Sequence, residues 1–299
     1  MRLFVEQLLN GVGNGVVYGS VALALVLIFR TTGVLNFAQG EMALFSTFVS
    51  WWLTSRDVPV VGAIVISMAL SFFAGAVIER VIIRPVEDSR SPLNVVIVTL
   101  GLFLGLNSLA QLVFGTDPQQ MPSPFPEGSV DLFGSGNDAI DIGNDTLGLI
   151  LVLLVECALL YVLLQRTKVG LKLRAVAANP DSARLHGINA NRLLMLGWAL
   201  SAALGALAGS LVASERTGFD ASLMQTILVY AFAAAALGGF DSLIGAVVAG
   251  LVVGVADALT IQYVDALDGI EVVLPLALIL AVLLVKPNGL FGKRTVERV

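Results

Sequence analysis

Long runs of apolar residues constrain this chain more than any other feature of its sequence. They lie at 12–29, 38–53, 58–78, 93–114, 147–164, 193–213, 225–238, 243–262 and 272–285. A helix needs about 20 such residues to cross the roughly 30 Å hydrocarbon core of a bilayer, where unpaired backbone groups are too costly for an open chain. The sequence therefore predicts an all-α fold, a polytopic transmembrane helical bundle.

Composition excludes the other structural classes. Charged residues make up 13% of the 299 residues, whereas soluble domains contain about 25%. This is too little charge to cover a surface exposed to water, and a net charge of −5 does not suit a chain that binds nucleic acid. We expect the chain to be surrounded by a lipid bilayer.

The distribution of Lys and Arg predicts which loops face the cytoplasm. Lys and Arg are concentrated in loops 79–92 and 165–192 and in the C-terminal tail. In loop 115–146, every charged residue is acidic. Because cytoplasmic loops are enriched in Lys and Arg, we expect 165–192 and the C-terminus to be cytoplasmic and 115–146 to be external. Residues 1–299 are predicted to form a single transmembrane domain.

The number of spans has two interpretations. Gly238 to Ser242 has the composition of a turn inside the apolar region 225–262, and both ends of that region face outside. Two crossings there give nine spans in total, with the N-terminus outside. Alternatively, 38–53 enters and leaves on one face, which gives eight spans and an internal N-terminus. Both interpretations include broken helices.

The cytoplasmic loop contains the signals of a short helix over 180–186. Asn179 is a suitable N-cap, Pro180 suits the first helical position, and Asp181 places an acid in the first turn. Gly187 is suited to end the helix. A two-turn helix is unstable alone, so it would make most sense docked against a partner through Leu185 and Arg184. The alternative is a capped turn that lies on lipid headgroups.

A second polar segment precedes the short run 38–53. Asn36 and Gln39 have the spacing of a capping box, and Glu41 lies in the first helical turn. Polar side chains around a helix N-terminus at membrane depth are typical of a permeation path. Alternatively, Glu41 complements the helix dipole and contacts no substrate.

Small residues recur every four positions in four of the apolar runs, which allows helices to approach closely. They are Gly11, Gly15 and Gly19; Gly101 and Gly105; Gly197, Ser201, Gly205 and Gly209; and Ala246, Gly250, Gly254 and Ala258. These stripes predict a tightly packed bundle, or alternatively sliding surfaces or a contact with a second subunit.

Catalytic and metal-binding motifs are absent from the sequence. His186 and Cys157 are each the single residue of their type, so no disulfide, cysteine-based metal site or Ser-His-Asp triad is expected. We predict no metal, no bound cofactor and no enzymatic activity, and any nucleotide energy must come from another chain. Glu156, in the middle of a span, is expected to be paired within the chain or to contact a partner subunit.

Four ordered segments resemble the LivH-type permease of bacterial branched-chain amino acid ABC importers. They are TTGVLNFAQGEMAL, the pair Arg84-Pro85, GLKLRAVAANPDSARLHGIN and AALGGFDSLIGAVVAGLVVG, and the resemblance extends from about residue 10 to 292. One departure is Gln39, where the family commonly has His, so no titratable group stands there. Related permeases for urea and short-chain amides share these motifs.

The resemblance implies a multi-pass protein of the bacterial inner membrane that works in a complex. Its partners would be a second, LivM-type permease, two cytoplasmic ATPase subunits that hydrolyse ATP, and an extracytoplasmic substrate-binding protein. The expected ATPase-coupling residues are Asn179, Pro180, Asp181, Arg184 and Leu185. The expected substrate-pathway residues are Asn36, Gln39 and Glu41. A stand-alone channel or secondary transporter is a rival interpretation.

Overall fold

A computed structural model describes residues 2–87, 92–133, 140–264, 270 and 272–292. The chain divides into two compact units. Unit 1 comprises Met1–Val26, Phe125–Leu154 and Thr226–Val299, and unit 2 comprises Leu27–Pro124 and Val155–Gln225. Most of the loop that follows residue 262, and the basic residues of the C-terminal tail from 293 onward, lie outside the described residues.

Helices occupy all nine apolar runs. The described helices are α1 (Arg2–Thr32), α2 (Gln39–Thr54), α3 (Val60–Ile78), α4 (Arg84–Glu87), α5 (Pro92–Phe114), α6 (Asn144–Tyr161), α7 (Lys168–Ala178), α8 (Pro180–Leu185), α9 (Ala190–Ser214), α10 (Leu223–Gly238), α11 (Leu243–Tyr263) and α12 (Val273–Val285). Two π-helical turns, Glu79–Ile83 and Val162–Arg166, extend α3 and α6. Within the described ranges, 6 helical segments are long and apolar enough to cross a membrane, and α2, α10 and α12 are shorter.

Loop 115–146 differs in part from the all-α prediction. Within it, β1 (Ser129–Phe133) pairs antiparallel with β2 (Ile140–Gly143), and Ser129 lies opposite Gly143. In each strand an apolar residue stands next to an acidic one: Val130 next to Asp131, and Ile142 next to Asp141. This alternation is compatible with a small, half-exposed hairpin. The chain is therefore predominantly helical, with one two-stranded hairpin among the described residues.

Helix α2 forms the centre of unit 2. Ten of its residues are buried, and it packs against α3, α5 and α9. The Ser67 hydroxyl of α3 donates to the Ser46 carbonyl at 2.6 Å, and Ser50 shares a hydrogen bond with Ser210 of α9 at 2.9 Å. Because the other helices of unit 2 enclose this 16-residue helix, its polar side chains can lie at membrane depth without contact with lipid.

Contacts along unit 2 give the relative directions of its helices. Gln39 lies beside Ser201, and Ser50 lies beside Ser210, so α2 and α9 run in the same direction. Helix α3 runs in the opposite direction, since Gly75 packs against Ala202 and Arg84 reaches Asn191. Residue 201 lies 11 positions after Ala190, the start of α9, or roughly 16 Å along the helix at about 1.5 Å per residue. Helix α2 therefore begins about halfway along α9.

Close packing through glycine organises unit 1. A Cβ atom added to Gly15 of α1 would lie 2.6 Å from the Leu251 Cα atom of α11, and Gly250 is equally close to Gly19. Tyr18 stacks on Tyr230 with ring centroids 4.6 Å apart and donates to the Asp257 carboxylate at 3.0 Å. The glycine stripes of α1 and α11 thus interlock, as the packed-bundle interpretation predicts.

The predicted break between α10 and α11 is confirmed. Helix α10 ends at Gly238, and Gly239 has a φ of +98°, a conformation that favours glycine. Ser242 then caps α11, because its hydroxyl accepts a hydrogen bond from the Gly245 N–H at 3.0 Å. The N–H of Leu290 donates to the Leu237 carbonyl at 2.7 Å, which places the segment after α12 beside this turn.

Candidate functional site

The docking segment, residues 179–187, has the helix that its sequence predicts. The Asn179 side chain accepts a hydrogen bond from the Ser182 N–H at 2.8 Å, and Pro180 occupies the first helical position. Helix α8 ends at Leu185, one residue before the predicted end, and Gly187 takes a φ of +75°. Its boundaries are therefore encoded by its own capping residues.

One side of α8 is anchored and the other is exposed. Ala183 is buried in a cluster with Val176 of α7 and Ala190 of α9. Leu185 is 88% exposed, and Arg184 bonds to Asp181 at 3.2 Å on the outer surface. Ala183 therefore holds α8 to α7 and α9, whereas Leu185 and Arg184 are accessible to a partner.

Sequence reasoning missed α7, which supports the docking segment. The Thr167 hydroxyl caps α7 by accepting a hydrogen bond from the Gly170 N–H at 3.0 Å. Leu173 and Val176 are buried and lie three positions apart on one helical face. The cap and this spacing are local signals that predict α7 from the sequence.

The predicted capping box at α2 is wrong in its bonding. The Asn36 side chain accepts a hydrogen bond from the Ala38 N–H at 3.0 Å, and α2 has no side-chain cap. The Gln39 amide donates instead to the Ser201 carbonyl at 3.0 Å and accepts from the Ser201 hydroxyl at 2.9 Å. The Ser201 carbonyl accepts a hydrogen bond and its hydroxyl donates one. The Gln39 side chain makes both bonds, so it does not reach back to the backbone N–H that a capping box would require.

Glu41 belongs to a separate polar cluster. It is 1% exposed, and its Oε2 atom accepts a hydrogen bond from the Asn107 amide at 2.9 Å. Asn107 also donates to the Ala221 carbonyl at 2.8 Å and accepts from Gln111 at 2.6 Å. The Glu41 Oε1 atom has no hydrogen-bond partner among the described residues. Asn107 and Gln111, four positions apart on α5, were not identified from the sequence.

The loop that reaches Asn107 is fixed by Asp220. Its carboxylate accepts hydrogen bonds from the Ser222 hydroxyl at 2.6 Å and the Ser222 N–H at 2.8 Å. These two bonds, the hydroxyl bond most of all, lower the pKa of Asp220. Asp220 therefore stays ionised at neutral pH and holds the backbone on either side of Ala221.

An open crevice lies beside the N-terminal half of α2. Its walls come from α2, α3, α5 and α9, and include Met42, Phe45, Ser46, Leu70, Ser71, Ile78 and Leu106. The hydroxyls of Ser46 and Ser71 hydrogen-bond to each other at 2.6 Å, so the lining is mainly apolar. Such a surface suits aliphatic rather than charged groups.

Other ionisable groups in the bundle offer no metal site. Glu156 and Asp257 are both buried, at 3% exposure each. Within the described ranges, no group of three or more His, Cys, Asp or Glu side chains could hold a metal ion. The polar side chains of α2, together with the docking segment, are therefore the candidate functional features.

Comparisons with known proteins concern the chain as a whole. Residues 7–283 match a family described as the permease component of branched-chain amino acid transport systems. The high-affinity branched-chain amino acid transport permease protein LivH of Escherichia coli K12 is 32% identical over 99% of this chain and 98% of its own length. The corresponding protein BraD of Pseudomonas aeruginosa is 27% identical over the same shares. A solved structure of PsaBC from Streptococcus pneumoniae in complex with Fab has a TM-score of 0.49 and 14% identity, covering 93% of this chain and 91% of that one.

Proposed function

Because the chain belongs to the family of branched-chain amino acid transport permeases, we propose that it forms one half of the translocation path in an ATP-driven importer for these amino acids. It is a multi-pass membrane protein of the ABC-importer permease class. Leucine, isoleucine and valine are zwitterions, and they cannot leave water for a hydrocarbon core unaided. The chain would supply a gated path rather than catalysis, and it would act as a transporter and not as an enzyme.

The exposed apolar side chain on the capped helix α8 is the observation that supports this proposal most directly. ATPase subunits in the cytoplasm would seat α8 through Leu185 and Arg184, while Ala183 holds it to α7 and α9. The caps at Asn179 and Pro180, with Asp181 in the first turn, make the helix rigid enough to transmit force. ATP binding and hydrolysis by the partners would then shift the bundle between inward- and outward-facing states.

The N-terminal half of α2 is the proposed pathway element. Gln39 is held by two hydrogen bonds to Ser201, so it would position α2 against α9. Asn36 accepts a hydrogen bond from the Ala38 N–H, so it would shape the turn that precedes α2. Glu41 has an oxygen free of hydrogen bonds within the described chain, and it would be the polar group nearest a passing substrate. The apolar crevice beside α2 would accommodate branched aliphatic side chains.

The contacts at the end of α1 favour nine crossings over eight. Thr31 packs against Gly197, seven positions after the start of α9, so α1 ends near the end of α9 that we propose to be cytoplasmic. Eight crossings would require α1 to run outward and to end near the opposite end of α9. In unit 1, the hydrogen bond between Leu290 and Leu237 brings the end of α12 beside the end of α10, so both ends would share one face. The N-terminus would be external and the C-terminus cytoplasmic.

The complete importer would contain four kinds of subunit. This chain would pair with a LivM-type permease in the bacterial inner membrane and form one transmembrane domain of the pair. Two ATPase subunits would supply ATP hydrolysis from the cytoplasm, and an extracytoplasmic binding protein would deliver substrate. The chain itself would bind no metal and no cofactor.

The alternative substrates are urea and short-chain amides, since permeases for these compounds share the sequence motifs that the chain displays. A mainly apolar crevice favours the branched-chain amino acids over these smaller and more polar compounds. The rival class is a stand-alone channel, which would conduct without ATPase subunits.

Reconstitution into liposomes tests the proposal. The chain with its second permease, the ATPases and the binding protein should accumulate radiolabelled leucine only with ATP inside the liposomes. The chain alone should give no uptake above protein-free liposomes. Leucine uptake by the chain alone would contradict the importer class, and ATP-driven uptake of urea in preference to leucine would contradict the substrate.

A further inference from the structure

The pair Arg84-Pro85 is one of the sequence motifs described above, but the proposed function assigns it no role. Arg84 lies directly after the π-helical turn Glu79–Ile83. Its guanidinium forms two bonds to Glu79, from Nε to Oε1 at 3.1 Å and from Nη2 to Oε2 at 2.6 Å. Two parallel bonds of this kind fix the orientation of both groups.

Glu79 depends on this partner because its side chain is 0% exposed, whereas the side chain of Arg84 is 28% exposed. A buried charge without its counter-charge is strongly unfavourable, so the two groups are expected to move together. Single π-helical turns within α-helices occur often at functional sites. The ion pair spans such a turn at the end of α3.

Arg84 also connects to the docking segment. Its Nη2 atom donates to the Asn191 carbonyl at 3.3 Å, in the first turn of α9. The Asn191 side chain accepts from the Nη2 atom of Arg184, in α8, at 3.3 Å. A continuous series of polar contacts thus leads from the exposed helix α8 to the buried carboxylate of Glu79.

Helix α3 is coupled in turn to the core of unit 2. A Cβ atom added to Gly75 would lie 2.7 Å from both the Trp198 carbonyl and the Ala202 Cβ atom, so α3 and α9 are in close contact. Helix α3 also holds α2 through the hydrogen bond from Ser67 to the Ser46 carbonyl. A displacement at the end of α3 would therefore reach the proposed pathway element.

We propose that Arg84 is a positioning residue that couples movement of the docking segment to α3 through its joint contacts with Glu79 and Asn191. This inference rests on the proposed docking of α8 to ATPase subunits. Arg84 contacts no substrate, and its effect is on the number of amino acids moved per ATP hydrolysed.

The test uses the assembled transporter in liposomes and measures leucine uptake and ATP hydrolysis together. Arg84→Lys keeps the charge but cannot form two parallel bonds, and it should lower the leucine transported per ATP about fivefold or more, the lower end of typical coupling between sites. Co-purification with the ATPases should be unchanged. Arg80→Lys is the matched control, because Arg80 is exposed on the same π-helical turn, and it should behave like the wild type.

A second variant separates positioning from simple charge compensation. Glu79→Gln combined with Arg84→Gln removes the buried charge and its partner together, so thermal stability should recover relative to Arg84→Gln alone. Transport per ATP should stay low, because the neutral pair no longer links Asn191 to α3 in the same geometry. Recovery of stability and coupling together would overturn the proposal.

A third variant probes the contact from the docking segment. Asn191→Ala removes the acceptor for Arg184 at an exposed position and leaves the carbonyl that Arg84 contacts. It should also reduce transport per ATP, while wild-type coupling in this variant would overturn the proposed route.

Failure of this inference can be distinguished from failure of the proposed function. If the wild-type chain assembled with no ATPase at all, the proposed function would fail. Normal coupling in the Arg84 and Asn191 variants would overturn only the inference.

Discussion

Single polar residues in the core of this chain act through bonds that link distant parts of the sequence. Gln39 makes two hydrogen bonds to Ser201, which is 162 positions away. Glu41 reaches Asn107 on a different helix. The residue types around 36–41 indicate a polar site, but nothing in their local spacing identifies these partners, so the predicted capping box was wrong.

Removal of the Gln39 side chain tests whether Gln39 stabilises the fold. Gln39→Ala removes both hydrogen bonds between Gln39 and Ser201 in a buried site, and it should lower the free energy of unfolding by about 1–3 kcal/mol. Thermal unfolding in detergent measures the change. Gln7→Ala is the control, because the hydrogen bond that Gln7 donates to Gln262 is exposed. An equal loss in both variants would contradict the assignment.

Helix boundaries were predictable wherever the capping residues are local. Asn179, Pro180 and Gly187 delimit α8, and Gly239 with Ser242 separates α10 from α11. These residues act within a few positions of themselves, so the sequence alone contains the information. The hairpin of β1 and β2 is different, because two short strands have a weak pattern and depend on their pairing with each other.

Contacts between helices decide which glycine stripes are structural. Gly15→Ala would push a methyl group against the α11 backbone, 2.6 Å from the Leu251 Cα atom, and overpacking of this kind costs about 1–3 kcal/mol. Gly101→Ala, on α5, meets nothing within 4 Å and should instead gain up to about 1 kcal/mol of helix propensity. Thermal unfolding of the isolated chain should change in opposite directions, and equal destabilisation would contradict the packing described for α1 and α11.

The topology of the whole molecule depends on whether segment 38–53 completes a crossing or returns to the face that it entered. Nine crossings put the N-terminus outside, whereas a returning α2 would put it inside. Leu3 is 60% exposed at the start of α1, and Cys157 is the single natural cysteine, so Leu3→Cys in a Cys157→Ser background gives one reporter.

An impermeant maleimide should label this Leu3→Cys variant in spheroplasts whose cytoplasmic membrane is intact. The matched variant Ser182→Cys lies in the docking segment, which both topologies predict to be cytoplasmic, and it should be labelled only after that membrane is permeabilised. Protection of position 3 would replace nine crossings by eight. Labelling of position 182 from outside would reverse the orientation of the chain.

At the scale of the whole molecule, the apolar runs predict the class of the molecule well, because the thickness of the hydrocarbon core constrains every span alike. The orientation that the loop charges indicate stays a prediction. The apolar crevice was not predictable. Its walls combine α2, α3, α5 and α9, and the space between them depends on how those helices pack rather than on any one segment.

The central claim is that ATPase subunits engage this permease through α8. Arg184→Glu combined with Leu185→Asp places two negative charges on the exposed side of the helix and leaves the buried Ala183 untouched. The chain should still insert into the membrane, but ATPase co-purification and leucine uptake should both be lost, while Leu185→Met should retain both. Undiminished co-purification of the ATPases with the double variant would contradict the account.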